Sequence, residues 1–316
     1  MTERSKLTAF AKYAWFALAY NLVVILWGVF LRASYSGDGC GQHWITCHGE
    51  AIPSAPELKT VIEFSHRVTS ALAGLVVLVL LVWAFRKFAK GHVVRKLAVL
   101  SFVFILIEGA VGGGLVLTGN TAGNWTPTRP YWTAGHLINT FILIGWLSLT
   151  AWYASRERRI NWNVPSKVWL MLGLCVAFFF ITGISGSMAA LTNMLFPSET
   201  LSEGLAKDFN PDSHILLRLR ILHPILSIFT AVFLIFISDA IKKAVGGDKG
   251  VGRWAGIMSI LVLVQIAWGG ATLLMLAPIV MQLGHLLIAD LVWISLVLMG
   301  ASVLAAEPET AAADQG

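Results

Sequence analysis

Eight separate stretches of this chain are apolar for long enough to cross a bilayer, and that fact restricts the fold more than any other. They run over residues 13–32, 62–85, 97–117, 133–154, 168–192, 217–239, 254–275 and 279–304. A hydrocarbon core is crossed by about 20 apolar residues of helix. Inside lipid each segment must satisfy its own backbone amides, so segments of this length are helices. The sequence therefore predicts an all-α membrane protein with eight transmembrane helices. Composition agrees: 57% of the 316 residues are hydrophobic and 13% charged, against about 25% charged in an ordinary globular domain, and the mean hydropathy is +0.74. A soluble enzyme, a disulfide-dense secreted domain and a disordered chain are excluded. The net charge of +6 gathers on no polar face. It reads as loop charge that sets topology, with membrane lipid as the surroundings and no nucleic acid as partner.

The placement of that charge gives an orientation. Sixteen of the 23 lysines and arginines lie in the N-terminal segment and in the second, fourth and sixth connections, from Arg4 to Arg253. By the positive-inside rule that side is the cytoplasm, which puts both termini inside. The longer connections 33–61, 118–132 and 193–216 then face outside. The first span is followed by no small-residue cleavage site and reads as a mature helix, not a signal peptide. The expected location is a bacterial or archaeal cell (inner) membrane. The acidic tail, 305–316, reads as disordered.

The chain also repeats itself. Ile107-Glu108-Gly109-Ala110-Val111-Gly112-Gly113 aligns with Val264-Gln265-Ile266-Ala267-Trp268-Gly269-Gly270 at an offset of 157, and His66 falls on His223 at the same offset. His136 and His285 are 149 apart, each near the start of its helix. The expectation is two pseudo-symmetric four-helix bundles in a parallel repeat, residues 1–160 and 161–304.

Four of the eight histidines, His66, His136, His223 and His285, lie inside spans, one in each even-numbered helix and each within about two turns of its outer end. Ionisable groups at membrane depth are costly and mark function more often than packing. Two histidines per four-helix half suit bis-histidine ligation of a haem iron in each bundle. Zinc would need further ligands at matching depth, and no C-x-x-C-H motif for covalent haem is present. Arg67 and Arg220 adjoin the ligand positions; each is a candidate to pair a haem propionate or to snorkel to the interface.

The halves differ in what surrounds the histidines. Only the first contains Glu63-Phe64-Ser65-His66-Arg67, in which Glu63 and His66 share a helix face. The second reads Arg220-Ile221-Leu222-His223-Pro224. Only the first has an outer cysteine pair, Cys40 and Cys47, able to form a structural disulfide or to cycle as a redox couple. Cys175 reads as a small hydrophobe. Glu108 and Asp290 are intramembrane acids, read as interhelical hydrogen-bonding groups in preference to proton relays. His43 and His48 flank Cys47 with no role assigned.

Taken together these residues resemble the heme A synthase family. The resemblance covers nearly the whole chain: eight helices in two halves, one histidine per even helix, Glu-x-x-His-Arg entering the second, and Cys-x6-Cys in the first outer loop. The first loop departs from it in lacking a Pro-Asp-Trp-Pro run. The resemblance implies an oxidoreductase of heme A biosynthesis, oxidising a methyl group of heme O to the formyl group of heme A. It implies a substrate haem on His66 and His136, a heme b cofactor on His223 and His285, a catalytic Glu63 and a redox or loop-organising Cys40 and Cys47. Implied partners are heme O, the farnesyltransferase that produces it and an unidentified electron acceptor; a homo-oligomer is compatible with the sequence. The rival reading is a di-haem b-type membrane electron carrier, quinol-linked and without catalysis on haem. It would not need a glutamate and a cysteine pair in one half alone.

Overall fold

The computed structural model describes residues 7–121, 123–156 and 160–305; the 305–316 tail expected to be disordered lies, from residue 306 on, outside them. The described residues form ten helices: α1 Ala9–Ala33, α2 Leu58–Lys87, α3 Val93–Leu117, α4 Arg129–Ala154, α5 Ser166–Leu195, α6 Leu201–Phe209, α7 Ile215–Arg220, α8 Leu222–Ala244, α9 Lys249–Leu274 and α10 Ile279–Ala305. With α7 and α8 counted as one span, eight are long and apolar enough to cross a membrane. The chain is a multi-pass membrane protein. Most of the spanning helices start a few residues before the apolar stretch that predicts them, because capping and interfacial residues extend a helix beyond the hydrocarbon.

Two local features differ from the sequence expectation. The sixth span is broken at Ile221. Pro224 has no N–H to give the Arg220 carbonyl, and its ring crowds that same carbonyl. The outer connection 193–216 also contains α6. Thr200 accepts a bond from the Glu203 N–H (3.2 Å), and the Glu203 carboxylate accepts one from the Glu199 N–H (2.8 Å), a reciprocal cap of the kind that starts short amphipathic helices.

In the first four helices, α1 packs on α2 and α4, and α3 on α2 and α4, so they close a ring. In the rest, α5 packs on α8, α8 on α9, α9 on α10 and α10 back on α5. The sets meet through α4 against α5 and α10, and α1 against α10. Consequently α4 and α10 are the central helices: 67% and 61% of their apolar windows are buried, against 28% or less in the other six spans. Their seam is aromatic. Trp293 stacks on Phe179 at 5.0 Å between ring centres, and its indole N–H donates to the Phe141 carbonyl at 2.6 Å. Gly145 leaves the room: a Cβ there would lie 3.2 Å from Trp293 Nε1.

Trp293→Phe keeps a ring in the seam and removes only the donor. We expect a loss of about 1 kcal/mol, read as a lower thermal unfolding midpoint of the detergent-purified protein. An unchanged midpoint would remove this bond from the account of how the sets are joined.

Candidate functional site

Each of the four intramembrane histidines lies six to eight residues into its span, so at similar depth. Each ring also rests on a glycine of the preceding span. A Cβ built on Gly28 of α1 would stand 3.0 Å from His66 Cε1, and one on Gly186 of α5 2.8 Å from His223 Cε1. A Cβ on Gly269 of α9 would stand 2.8 Å from His285 Cε1, and one on Gly112 of α3 3.9 Å from His136 Cε1. Any side chain at the first three positions would take the space the imidazole fills.

In the second half the rings of His223 and His285 face one another with centres 6.3 Å apart and planes at 89°. An imidazole nitrogen about 2 Å from a metal puts its ring centre about 3 Å away, so two imidazoles sharing one iron have centres about 6 Å apart. The Ser185 hydroxyl lies 3.0 Å from His223 Nδ1, which leaves Nε2 for a metal. Nδ1 of His66, His136 and His285 is buried with no hydrogen-bond partner. Buried polar atoms are rarely left so; the 6.3 Å spacing of the His223 and His285 rings is what fits a bound haem. Among the described residues no three His, Cys, Asp or Glu side chains gather as a metal-ion site.

Over the first half lies the connection 33–61. Cys40 and Cys47 form a disulfide, Cα to Cα 4.4 Å. Glu63, 3% exposed, accepts the Cys40 N–H on Oε2 at 2.8 Å and pairs with Arg67 through Oε1 at 2.5 Å. The other guanidinium nitrogen of Arg67 donates to the carbonyls of His43 and Thr46, both at 2.7 Å. One carboxylate and one arginine thus hold the disulfide loop. Trp44 of that loop lies flat on Gly113, where a Cβ would come within 2.3 Å of the indole. His48 Nε2 contacts the Gly39 carbonyl at 2.8 Å, a loop bond.

Arg220 serves the second outer loop in the same manner. It pairs with Asp208 of α6 at 2.7 Å and donates to Asn193 (2.6 Å) and to the Gly204 carbonyl (3.2 Å). Both arginines are engaged by their own loops. Of the two further acids, Glu108 bridges α3 and α4, accepting from Asn139 at 2.5 Å and from the Thr140 hydroxyl. Asp290 is fully buried on α10, and neither of its oxygens has a hydrogen-bond partner, so the interhelical bond expected of it is not seen. Sequence reading passed over the glycine seats of His66 and His223, although Gly112 and Gly269 stood inside the repeat. It also passed over Trp44.

Comparison with known proteins now settles the family. The model of the cytochrome oxidase assembly protein family, COX15-CtaA, matches residues 11–297. The chain belongs to that family. A protein of Thermus thermophilus named protoheme IX farnesyltransferase is 40% identical over 294 residues, covering 93% of this chain and 48% of that protein. The chain thus spans about half the length of that relative. Proteins named heme A synthase match over a shorter stretch. One from Halalkalibacterium halodurans is 38% identical over 100 residues, 32% of this chain and 34% of that protein. One from an Exiguobacterium species is 41% identical over 100 residues, 32% and 33% of the two chains. The expected family resemblance therefore holds, and haem is the group the matched relatives are named for.

Gly269→Ala puts a methyl group 2.8 Å from His285 Cε1, and Gly186→Ala does the same beneath His223. Each should turn its imidazole away and reduce haem uptake by the second half, followed as loss of the six-coordinate absorption band on hemin titration. Gly74→Ala, with nothing within 4 Å of the new carbon, is the control. Equal titration curves in all three would show that the glycine seats do not position the ligands.

Proposed function

We propose that this family member is a heme A synthase: an oxidoreductase that converts the methyl group of heme O to the formyl group of heme A. In this reading residues 1–160 hold heme O between His66 and His136, and residues 161–304 hold heme b between His223 and His285. The observation that carries it is the asymmetry of the halves. Four imidazoles on one layer serve any di-haem carrier, but a buried carboxylate on the ligand's own helix face, bonded to a disulfide loop, occurs in the first half alone. The same ring-like contact order of α1–α4 and of α5 with α8–α10 supports treating the halves as repeats.

The chain's residues divide the work as follows. The Gly28 and Gly112 seats fix the height of His66 and His136, and so the height at which the substrate's ring sits. The disulfide loop, pressed down by Trp44 on Gly113, closes the outer end and limits water. Glu63, one turn from His66, is held by Arg67 and the Cys40 N–H, yet each carboxylate oxygen keeps a second lone pair. With it the residue takes a proton from a water at the substrate's edge, the general-base role. Bound heme b supplies electron transfer. Heme O comes from a farnesyltransferase partner, and electrons leave to an acceptor outside this chain. We place the protein in a bacterial or archaeal cell membrane with both termini cytoplasmic and the Cys40–Cys47 loop outside. A farnesyltransferase reading rests on the name of two Thermus thermophilus relatives, and more than half of each lies outside the match.

Glu63→Gln keeps an acceptor for the Cys40 N–H and removes the base. In cells that make heme O, we expect this variant to accumulate, retain its second-half haem and yield little heme A, with heme O or an alcohol intermediate in the extracted haems. Heme A at the parental rate refutes the catalytic role. Failure to accumulate assigns Glu63 to the loop, since breaking a buried ion pair costs about 3–5 kcal/mol.

Orientation is tested separately. In intact cells a membrane-impermeant thiol reagent should label Cys40 and Cys47 only after reduction of the disulfide. Labelling that requires lysed cells would reverse the topology.

A further inference from the structure

Glu108 and Gln265 hold equivalent places in the repeat, four residues before Gly112 and Gly269. Each reaches the histidine of the following span, but at different atoms. Glu108 Oε1 lies 3.5 Å from His136 Nδ1, whereas Gln265 Nε2 lies 3.3 Å from His285 Nε2. A carboxylate faces one imidazole; an amide faces the other. The carboxylate is held in place by donors from the histidine's own helix, Asn139 at 2.5 Å on Oε2 and Thr140 on Oε1, and Asn139 is itself tied to α3 by a 3.0 Å bond to the Phe104 carbonyl. His136 Nδ1 is buried, and at 3.5 Å it falls short of hydrogen-bond geometry. A small turn of the ring closes the gap, as such contacts tighten when a site fills.

We infer that Glu108 is a positioning residue for His136: it receives the Nδ1–H, presents Nε2 to the haem iron, and makes the first-half imidazole a stronger electron donor than its second-half counterpart. The inference rests on the two-haem reading above. Histidines that bind metals commonly give their other N–H to a carboxylate or carbonyl, which fixes the tautomer and raises ligand basicity. A more basic axial ligand favours oxidised iron, one of the levers by which a protein sets a haem's potential. The second half lacks it, because an amide brings no charge and Gln265 contacts the other ring nitrogen. The consequence is a haem at His66 and His136 with a lower reduction potential than one at His223 and His285.

The test uses the purified full-length protein loaded with hemin and titrated potentiometrically, with His223→Ala identifying the second-half component. We expect Glu108→Gln to raise the first-half potential and leave the second unchanged, and Glu108→Asp, which keeps the charge but draws it back from His136 Nδ1, to raise it less. A first-half potential unmoved by Glu108→Gln, or two potentials moved equally, overturns the inference. If Glu108→Gln does not accumulate, Glu108→Asp decides alone: its shorter carboxylate draws back from His136 Nδ1, so a raised first-half potential supports the inference and an unmoved one overturns it. Wild-type protein that takes up no haem at His66 and His136 overturns this inference together with the two-haem reading. Haem bound there with potentials indifferent to both variants overturns this inference only.

Discussion

An imidazole seated on a glycine of the neighbouring helix is the contact on which this molecule turns. Lipid gives helices no hydrophobic reason to associate, so they approach closely where small residues let them. Here the small residue and the costly polar one are partners. Gly28 with His66, Gly112 with His136, Gly186 with His223 and Gly269 with His285 join α1 to α2, α3 to α4, α5 to α8 and α9 to α10. These are pairs of spans consecutive in sequence. The packing that builds each hairpin therefore also sets the depth and facing of its imidazole, and fold and site are one geometry.

The outer face shows how the halves have diverged around that geometry. Arg67 follows its histidine by one residue and Arg220 precedes its own by three. On a helix those positions lie one turn apart on the same side. Both arginines hold the loop above their own half, by different means. In the first half the loop is short-circuited by a disulfide and bonded to Glu63; in the second it forms α6 and offers Asp208. A buried guanidinium needs acceptors in either case. The second half satisfies it within the loop, whereas the first satisfies it partly with a carboxylate from the ligand's own helix.

What was legible in the sequence follows from length scales. The eight spans, the four histidines and the 157-residue repeat rest on hydropathy and identity, which need no neighbours to read. The reach of Cys40 to Cys47 could be read as an option. The break at Ile221 was foreshadowed by Pro224, yet hydropathy averaged over a whole span hides a one-residue interruption. The helix α6 was missed because its signal is a Thr200–Glu203 cap inside a polar connection, where apolar periodicity carries little. Of the partners of Arg67 and Arg220, only the i,i+4 pairing of Arg67 with Glu63 could be read from spacing. An arginine next to a histidine at membrane depth suggests an anion, and only the folded loops show that Asp208 and backbone carbonyls engage the two guanidinium groups.

The seam between the halves joins these threads. Of the four spans that carry an intramembrane histidine, two are central, α4 with His136 and α10 with His285. Five residues beyond His136 stands Phe141, and eight beyond His285 stands Trp293, whose indole bonds the Phe141 backbone. The same indole stacks on Phe179 and meets Phe180 edge-on at 5.1 Å between ring centres. A close-packed interior resists sliding by even a methylene's width, so this aromatic knot fixes α4 against α10 and with them the spacing of the two histidine pairs. Each remaining intramembrane histidine, His66 on α2 and His223 on α8, sits on a more exposed span that touches the seam only through its neighbours. The two pairs are therefore built alike: one imidazole on a rigid central helix and one on a peripheral helix with lipid on its far side. A planar group entering either pair from the membrane displaces the peripheral helix more cheaply than the central one. In the first half that peripheral helix is α2, the helix that also carries Glu63 and Arg67 and so holds the disulfide loop in place.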